Sequence, residues 1–262
     1  MTDGHYATAG LAERVLAALG DGPLTLRDLA PLDQFHVGGL KSTQALAELA
    51  EVTAGDMILD IGSGIGGPAR FLAATFGCCV TGLDLSAEYT QLAARLAERV
   101  GLAGQVSAIR GDALAMPFPD ASFDLLWTQH AAMNIPDRPR LHAEMARLLK
   151  PGGRLALHDV CAGTGELAYF PLPWAAEAGA SALLSPDETY RQLLAAGFAP
   201  LHWRDATADA LDALSRAPAV LPPLSLQLLL GERFPEMLIN YRRSLEEGRA
   251  RVVEAVLCLP SA

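Results

Sequence analysis

Apolar and polar positions along the chain follow two repeating patterns. Short apolar runs that end in glycine or an acidic residue predict strands, and apolar residues at every third or fourth position predict helices. From residue 57 to residue 160 the two patterns alternate, which indicates a parallel sheet covered by helices on both faces. The predicted strands are 57–60, 78–84, 105–110, 123–128 and 154–160, and the predicted helices between them are 67–76, 87–100 and 138–149.

The pattern continues on both sides of this stretch. A helix is predicted at Leu11–Leu19, and a further helix begins after Ser185 and ends at Ala196, before Gly197. A sixth strand at 199–204 and a last strand at 249–258 complete the predicted sheet. The segment between these two strands has helical spacing at 224–230 and 235–245, which predicts a helical cap, and the prolines of 218–223 predict a hinge or corner.

A glycine-rich turn follows the first predicted strand, with the sequence Asp60-Ile61-Gly62-Ser63-Gly64-Ile65-Gly66-Gly67. Its glycines permit a tight turn beneath a ligand, but their spacing fits a nicotinamide or flavin dinucleotide as well as S-adenosylmethionine. Asp60 favours the second ligand, because a carboxylate there would repel a pyrophosphate but could pair with the ammonium group of a methionyl tail. Asp84 ends the second strand, where it is placed to accept hydrogen bonds from ribose hydroxyls.

Composition narrows the class of protein. The 262 residues are 51% hydrophobic and 19% charged, and the net charge of −10 argues against binding to nucleic acid or to an anionic membrane surface. No apolar run reaches the ~18–20 residues of a membrane span, and no secretory or organellar leader is recognisable, so we expect a cytoplasmic protein. The four cysteines lack metal-ligand spacing and predict buried thiols, with no metal site.

Several segments between residues 55 and 160 together resemble class I S-adenosylmethionine-dependent methyltransferases. The resemblance is closest to the small-molecule enzymes similar to the ubiquinone/menaquinone, tocopherol and sarcosine/dimethylglycine methyltransferases. The segments that carry it are Leu59–Gly66, Gly82–Ser86, Gly111–Ala113 with Met116–Phe118, Ser122–Trp127 and Leu148–Gly153, with Asp33–Gly39, Thr128–His130 and Met133–Ile135 as variants typical of that subgroup.

The resemblance implies an α/β Rossmann-like, doubly wound sheet of seven strands with the last strand antiparallel and a helical cap over the substrate site. It implies an N-terminal helical segment (1–50) closing over the cofactor, a cofactor-binding core (51–205), a cap insertion (206–248) and a final core strand (249–262). Methionyl, ribose and adenine contacts are expected from Asp60, Asp84 and Asp112, with the Ala113 N–H facing the adenine ring. The full set of expected cofactor-binding residues is Gln34, His36, Asp60, Gly62, Ser63, Gly64, Gly66, Asp84, Leu85, Asp112, Ala113 and Gln129.

The reaction expected from the resemblance is methyl transfer from S-adenosylmethionine to an oxygen or nitrogen atom of a small hydrophobic or aromatic molecule. In such a reaction the protein mainly has to align the methyl donor with the acceptor and exclude water. A hydroxyl acceptor also needs a base that removes its proton. His130 follows the fourth strand and is the first candidate base. Asp159 resembles an acidic position that pairs with a catalytic group in some small-molecule methyltransferases, and it is the candidate that orients the base. Alternation along the strand lets only one of His158 and Asp159 face the chamber, and the resemblance favours Asp159. The expected acceptor-binding residues are Met133, Asn134 and Trp174. Further apolar side chains that suggest a hydrophobic acceptor are Phe170, Leu172, Leu183 and Leu184.

Alternatives remain open at this point. Carbon methylation by the same fold is one, and a non-catalytic S-adenosylmethionine sensor or partner protein is another. A nicotinamide-dependent oxidoreductase shares the glycine turn but is disfavoured by Asp60 and by the lack of a Tyr-x-x-x-Lys set. The acceptor is expected to be the main partner, with the protein a monomer or homodimer.

Overall fold

The computed structural model describes residues 10–216 and 222–261, and in this part of the chain seven strands form a single sheet. The strand order is β3-β2-β1-β4-β5-β7-β6. The first five strands run parallel, and β7 runs antiparallel to both of its neighbours, β5 and β6. This arrangement confirms the predicted fold class. The strands are β1 (Met57–Ile61), β2 (Cys79–Asp84), β3 (Val106–Arg110), β4 (Phe123–Gln129), β5 (Leu149–Ala162), β6 (Ala199–Asp205) and β7 (Ala250–Cys258).

Ten α-helices surround this sheet within the described residues. Ser86 and Ser185 cap two of them as the sequence predicts, since their hydroxyls accept the N–H of Tyr89 and Glu188. The helices are α1 (Leu11–Leu19), α2 (Leu26–Asp33), α3 (Gly39–Leu49), α4 (Gly67–Phe76), α5 (Ala87–Arg99), α6 (Arg138–Leu148), α7 (Pro186–Ala195), α8 (Thr207–Ser215), α9 (Gln227–Leu230) and α10 (Phe234–Glu246).

Two apolar layers sandwich the sheet. Ile58 and Leu59 are successive residues of β1 and are both fully buried, yet they belong to different core clusters because strand side chains alternate between faces. A third cluster joins α8 and α10 to the segment after β5. A fourth joins α1 and α2 to α5. The helices near the carboxyl edge of the sheet therefore have apolar clusters of their own.

The N-terminal helices are fixed to the glycine turn by an ion pair. Arg70 of α4 is fully buried; it donates to Asp33 Oδ1 at 2.5 Å and to the Ile65 carbonyl at 2.6 Å. A Cβ added at Gly67 would lie 1.8 Å from the Asp33 carbonyl oxygen, so only glycine allows α2 to approach this closely. The last residues of α2 are thereby held against the start of α4.

The structure departs from the predicted elements at several places. Helices α2 and α3 lie in the predicted N-terminal helical segment and α8 lies in the predicted cap, but none of the three was predicted individually; α2 is short and contains Pro31, which weakens its helical signal. The predicted helix 138–149 ends at Leu148, and Leu149 and the residues up to Gly153, which separate the predicted helix from the predicted strand 154–160, already belong to β5. Cys79 is exposed and Cys258 is partly exposed, so the expectation of four buried thiols was wrong for these two. Most of the predicted hinge at 218–223 lies outside the described residues.

None of the helices in the described ranges combines the length and the apolar character needed to cross a bilayer.

Candidate active site

A cavity of about 960 Å³ opens at the carboxyl edge of the parallel strands. This volume lies near the upper end of the ~300–1,000 Å³ range of small-molecule sites, and it leaves room for a cofactor and a second molecule. Most of the predicted site residues line it. They are His36, Asp60, Gly62, Ser63, Gly64, Asp84, Leu85, Asp112, Ala113, Gln129, His130, Met133, Asn134 and Trp174.

The glycine turn forms the floor of the cavity near β1. The N–H groups of Gly62 and Ser63 donate to the Leu83 carbonyl, at 2.8 and 3.1 Å, which ties the turn to the end of β2. Gly62 has a φ of 75°, and a Cβ there would lie 2.4 Å from the Cβ of Ala131. Gly66, also predicted to contact the cofactor, does not line the cavity; it is the N-cap of α4 and packs near Arg70.

The Asp60 carboxylate lacks a hydrogen-bond partner on one oxygen. Its side chain is 2% exposed, and Oδ2 has no partner among the residues that the structure describes. Burial, and secondarily the Asp84 carboxylate, raises the pKa of Asp60 to about 8. A buried acceptor without a donor costs free energy, and a bound ammonium group would supply both the donor and the opposite charge.

Asp84 combines a structural contact with an open acceptor position. Its Oδ2 accepts the Gly64 N–H at 2.9 Å and its Oδ1 accepts the Ser86 N–H at 2.8 Å. Burial raises its pKa despite these hydrogen bonds. Each carboxylate oxygen retains a second lone pair, so the group can hold the turn and still accept from a ligand hydroxyl.

Asp112 lines the cavity at the end of β3, beside Leu85 and Ala113. Its Oδ1 accepts the Leu114 N–H at 2.9 Å, and its backbone carbonyl accepts the Ala115 N–H. This turn fixes the direction of the carboxylate. The three acids therefore lie at the ends of three neighbouring strands, β1, β2 and β3.

A hydrogen-bonded group from α3 and the preceding loop covers the end of β4. The Thr43 hydroxyl lies 2.8 Å from Gln34 Oε1 and 2.9 Å from His36 Nε2, and Gln129 Oε1 accepts from the Trp127 indole at 2.9 Å. Gln129 Nε2 lines the cavity with no partner. Gln34, also predicted to contact the cofactor, hydrogen-bonds to His36 and is not among the described residues that line the cavity.

Three histidine rings meet beyond the end of β4. The ring centroids of His130 and His158 are 5.3 Å apart and nearly parallel, at 10°, and His36 lies 6.0 and 5.8 Å from them. Burial lowers the pKa of His36 to about 4 and that of His158 to about 3, and lowers the pKa of His130 well below its ordinary value. All three imidazoles are therefore neutral at pH 7.

His130 and His158 each present a ring nitrogen without a partner. These atoms are His130 Nε2 and His158 Nδ1, and both rings line the cavity. His130 has a φ of 50°, which is uncommon for a residue with a side chain, and its N–H donates to the His158 carbonyl at 2.9 Å. The backbone at the end of β4 is thus held in a strained conformation that places this ring at the ligand edge.

Tyr241 of α10 is a cavity residue that the sequence analysis missed. Its ring centroid lies 6.4 Å from His130 and 5.2 Å from Trp174, and its hydroxyl is buried without a partner. Trp174 is the only one of the five predicted apolar residues of the segment after β5 among the described lining residues. A helical spacing of apolar positions predicted α10 but not which of its residues faces a ligand.

The choice of Asp159 over His158 as the residue facing the chamber was wrong. Asp159 points to the opposite face of β5, where it accepts the N–H groups of Ala132 at 3.1 Å and Val160 at 3.0 Å and lines a separate small cavity. Burial raises its pKa to about 6, although Arg138 opposes the shift. The register explains the error: His158 pairs with Gln129, and paired residues of neighbouring strands share a face.

No cluster of three or more His, Cys, Asp or Glu side chains suited to a metal ion occurs in residues 10–216 and 222–261.

Comparison with known proteins identifies the family of the chain. A family model described as a methyltransferase domain matches residues 59–157. The chain is 32% identical over 218 residues to the 27-O-demethylrifamycin SV methyltransferase of Amycolatopsis mediterranei, covering 78% of each chain. It is 38% identical over 133 residues to the methyltransferase GfsG of Streptomyces halstedii, but this covers only 51% of the chain and 48% of the relative.

A solved structure extends the comparison to the whole fold. A geranyl diphosphate methyltransferase in complex with S-adenosylmethionine superposes with a TM-score of 0.68 at 22% identity, covering 93% of this chain and 94% of the other. The curated relatives include methyltransferases named for oxygen, carbon and nitrogen acceptors, so the comparisons leave the accepting atom open.

Proposed function

Because the chain belongs to the S-adenosylmethionine-dependent methyltransferases, we propose that it transfers a methyl group to a hydroxyl oxygen of a small, largely apolar molecule. One observation carries the choice of oxygen: His130 presents a neutral imidazole with a partnerless Nε2 inside the cavity. A hydroxyl is the acceptor that gains most from such a group, since its proton must leave as the new bond forms. The relative from Amycolatopsis mediterranei is also named for methylation at oxygen.

The residues around the first three strands fit the cofactor. Asp60 would hold the methionyl ammonium, and Gln129 Nε2 would donate to the methionyl carboxylate, which gives each of these partnerless atoms a partner. Asp84 would accept from the ribose hydroxyls and Asp112 from the adenine amino group. Leu85 and Ala113 would flank the adenine ring.

The proposed reaction needs one proton acceptor and good alignment. S-adenosylmethionine, when bound, supplies a methyl group on a positively charged sulfur that becomes neutral on transfer. His130 Nε2 takes up the hydroxyl proton, so the positive charge in the cavity moves but does not change in total. His158, stacked on His130, and His36 restrict the orientation of the ring. The buried surroundings exclude water that would compete for the methyl group.

Carbon methylation is a second candidate, favoured by the aromatic rings beside His130. Tyr241 and Trp174 present π faces or edges in the same part of the cavity. Such rings can stabilise a carbocation formed when a double bond attacks the methyl group. His130 would then remove a proton from carbon after the transfer.

The experiment that tests the proposal uses S-adenosylmethionine with a carbon-labelled methyl group and an extract of small apolar metabolites. Mass spectrometry finds the methylated product, and carbon NMR identifies the atom that carries the label. We expect a methoxy signal. A label on carbon would replace the proposal with the second candidate, and cofactor binding without any labelled product would identify a non-catalytic binding protein.

A further inference from the structure

The segment that follows β3 reaches the cavity only with its first residues. Gly111, Asp112 and Ala113 line the cavity. Residues 114–118 are not among the described lining residues. The Gly111 N–H donates to the Asp84 carbonyl at 3.0 Å, which fixes the start of the segment against the end of β2. The direction of Asp112 and Ala113 therefore depends on what holds the other end of the segment.

One face of α6 holds that other end. Arg140, Glu144 and Arg147 are four and three residues apart, so their side chains lie on the same side of the helix. Arg140 Nε donates to the Leu114 carbonyl at 2.9 Å. Glu144 Oε2 accepts the Met116 N–H at 2.9 Å, and Arg147 Nη2 donates to the Met116 carbonyl at 3.1 Å. Both backbone polar groups of Met116 are thus bound by α6.

Glu144 and Arg147 also hold each other. Arg147 donates to the two oxygens of the buried Glu144 carboxylate, from Nε at 3.0 Å and from Nη2 at 2.8 Å. This pairing lowers the pKa of Glu144, so the carboxylate is ionised at pH 7. Arg147 Nη1 donates further to the Phe118 carbonyl at 2.8 Å. Hydrogen bonds to charged groups are stronger than those between neutral groups, so the pair anchors the segment firmly at residues 116 and 118.

We propose that Glu144 and Arg147 are positioning residues for adenine recognition. They hold segment 111–118 so that the Asp112 carboxylate accepts from the adenine amino group and the Ala113 N–H donates to a ring nitrogen. Neither Glu144 nor Arg147 is among the described lining residues, so both act through the segment and not on the cofactor itself. This inference rests on the proposed function for the position of the adenine ring.

The same placement selects adenine against hypoxanthine. Hypoxanthine carries an oxygen in place of the amino group and a hydrogen on the ring nitrogen beside it. Its oxygen would therefore face the Asp112 carboxylate, and its N–H would face the Ala113 N–H, which leaves both pairs without a hydrogen bond. A segment that is free to turn away relieves these contacts and also loses the hydrogen bonds to adenine. The preference for adenine thus depends on how firmly α6 holds the segment.

Two cofactor products test the inference on the full chain without turnover. They are S-adenosylhomocysteine and S-inosylhomocysteine, which has hypoxanthine in place of adenine, and calorimetric titration measures both dissociation constants. We expect the unmodified chain to bind the adenine compound about 100-fold more tightly, because two hydrogen bonds are exchanged for two unfavourable contacts. Arg147→Met should lower this preference to about tenfold or less, mainly by weakening the binding of S-adenosylhomocysteine.

Three further variants assign the effect to the contacts of α6. Arg147→Lys keeps the charge and one donor group, so it should retain more of the preference than Arg147→Met. Arg140→Met removes an exposed side chain and should lower the preference about threefold; it supplies the result if Arg147→Met does not fold. The matched control is Arg191→Met, which breaks a pair with Glu188 at the same three-residue spacing on α7 and should keep the full preference. Urea denaturation checks the folding of each variant.

The outcomes separate this inference from the proposed function. Equal affinities of the unmodified chain for the two compounds would overturn the inference even if the enzyme methylates oxygen. The full preference in the folded Arg147 and Arg140 variants, or an equal loss in Arg191→Met, would do the same. A preference that Arg147→Met loses and Arg191→Met keeps would support the positioning role even if the labelled methyl group were found on carbon. No binding of S-adenosylhomocysteine would overturn both.

Discussion

The two halves of the cavity differ in chemistry and in how the chain builds them. The half proposed for the cofactor, here called the cofactor half, lies at the ends of β1, β2 and β3 and presents Asp60, Asp84 and Asp112. The half proposed for the methyl acceptor, here called the acceptor half, lies at the ends of β4 and β5 and presents the neutral rings of His130 and His158. Acidic side chains thus lie at the position proposed for a cationic cofactor, and neutral imidazoles lie at the position proposed for the reacting hydroxyl. In the proposed function, cofactor binding and proton transfer are therefore assigned to separate residues.

The largest loss of turnover is expected from His130→Ala, which removes the proposed proton acceptor of the acceptor half. Removing the proton acceptor should lower turnover by about 10²–10⁴-fold, while the dissociation constant of S-adenosylmethionine stays within about twofold. Steady-state kinetics and calorimetric titration measure the two quantities. His202→Ala, a histidine of β6 outside the described lining, is the control and should leave both nearly unchanged. If affinity and turnover fell together, His130 would be a binding residue.

A second test compares how much an ion pair of α2 and an ion pair of α10 each contribute to the free energy of unfolding. Arg70→Met leaves the buried Asp33 carboxylate unpaired and should reduce the free energy of unfolding by about 3–5 kcal/mol. Arg242→Met breaks an exposed pair with Glu246 on α10 and should cost less than ~1 kcal/mol. Urea denaturation measures both. Similar losses in the two variants would show that α2 is not held by its buried pair.

Asp60→Asn tests the cofactor half alone. The variant keeps the shape of the side chain but cannot carry the negative charge, so S-adenosylmethionine should bind about 10–100-fold more weakly at pH 8. Turnover at saturating cofactor should change much less, because the acceptor half is intact. Titration calorimetry gives the affinity. An unchanged affinity would mean that Asp60 does not pair with the methionyl ammonium.

The smallest effect is expected from Asp159→Asn. The amide oxygen can still accept one of the two N–H groups that Asp159 binds, and the side chain lies on the face of β5 away from the large cavity. Turnover should stay within about threefold of the unmodified chain. Steady-state kinetics is sufficient here. A loss as large as that expected for His130→Ala would place Asp159 in the proton path after all.

Most of the residues that the sequence assigns to the cofactor line the cavity, and the reason is that each part of this half is local. The glycine turn, Asp60 and Asp84 lie within 25 residues of one another, and each acid ends a strand whose apolar run is easy to recognise. The predicted bounds of α4 match the structure at both ends. Residues close in sequence at the end of a parallel strand have little freedom to be elsewhere.

The acceptor half was predicted less well because its residues come together only through register and packing. Alternation along β5 showed that one of His158 and Asp159 faces the chamber, but it could not say which, since both faces of the strand are buried. The pairing of Gln129 with His158 decides this and was not visible in the sequence. Tyr241 reaches the cavity from a helix more than 100 residues beyond His130.

The most direct measurement of the central claim is the proton balance of cofactor binding. Burial raises the pKa of Asp60 to about 8, so at pH 7 most of the side chain is protonated before the cofactor binds. Pairing with an ammonium group requires ionised Asp60, and binding should therefore release close to one proton at pH 7, with affinity rising from pH 6 towards pH 8. Above about pH 8 the α-amino group of the cofactor loses its own proton, and the affinity should fall again. Calorimetry of S-adenosylmethionine binding in two buffers of different ionisation enthalpy should detect this release, and Asp60→Asn should abolish it. Tight binding with no proton released, or the same release in Asp60→Asn, would contradict the account.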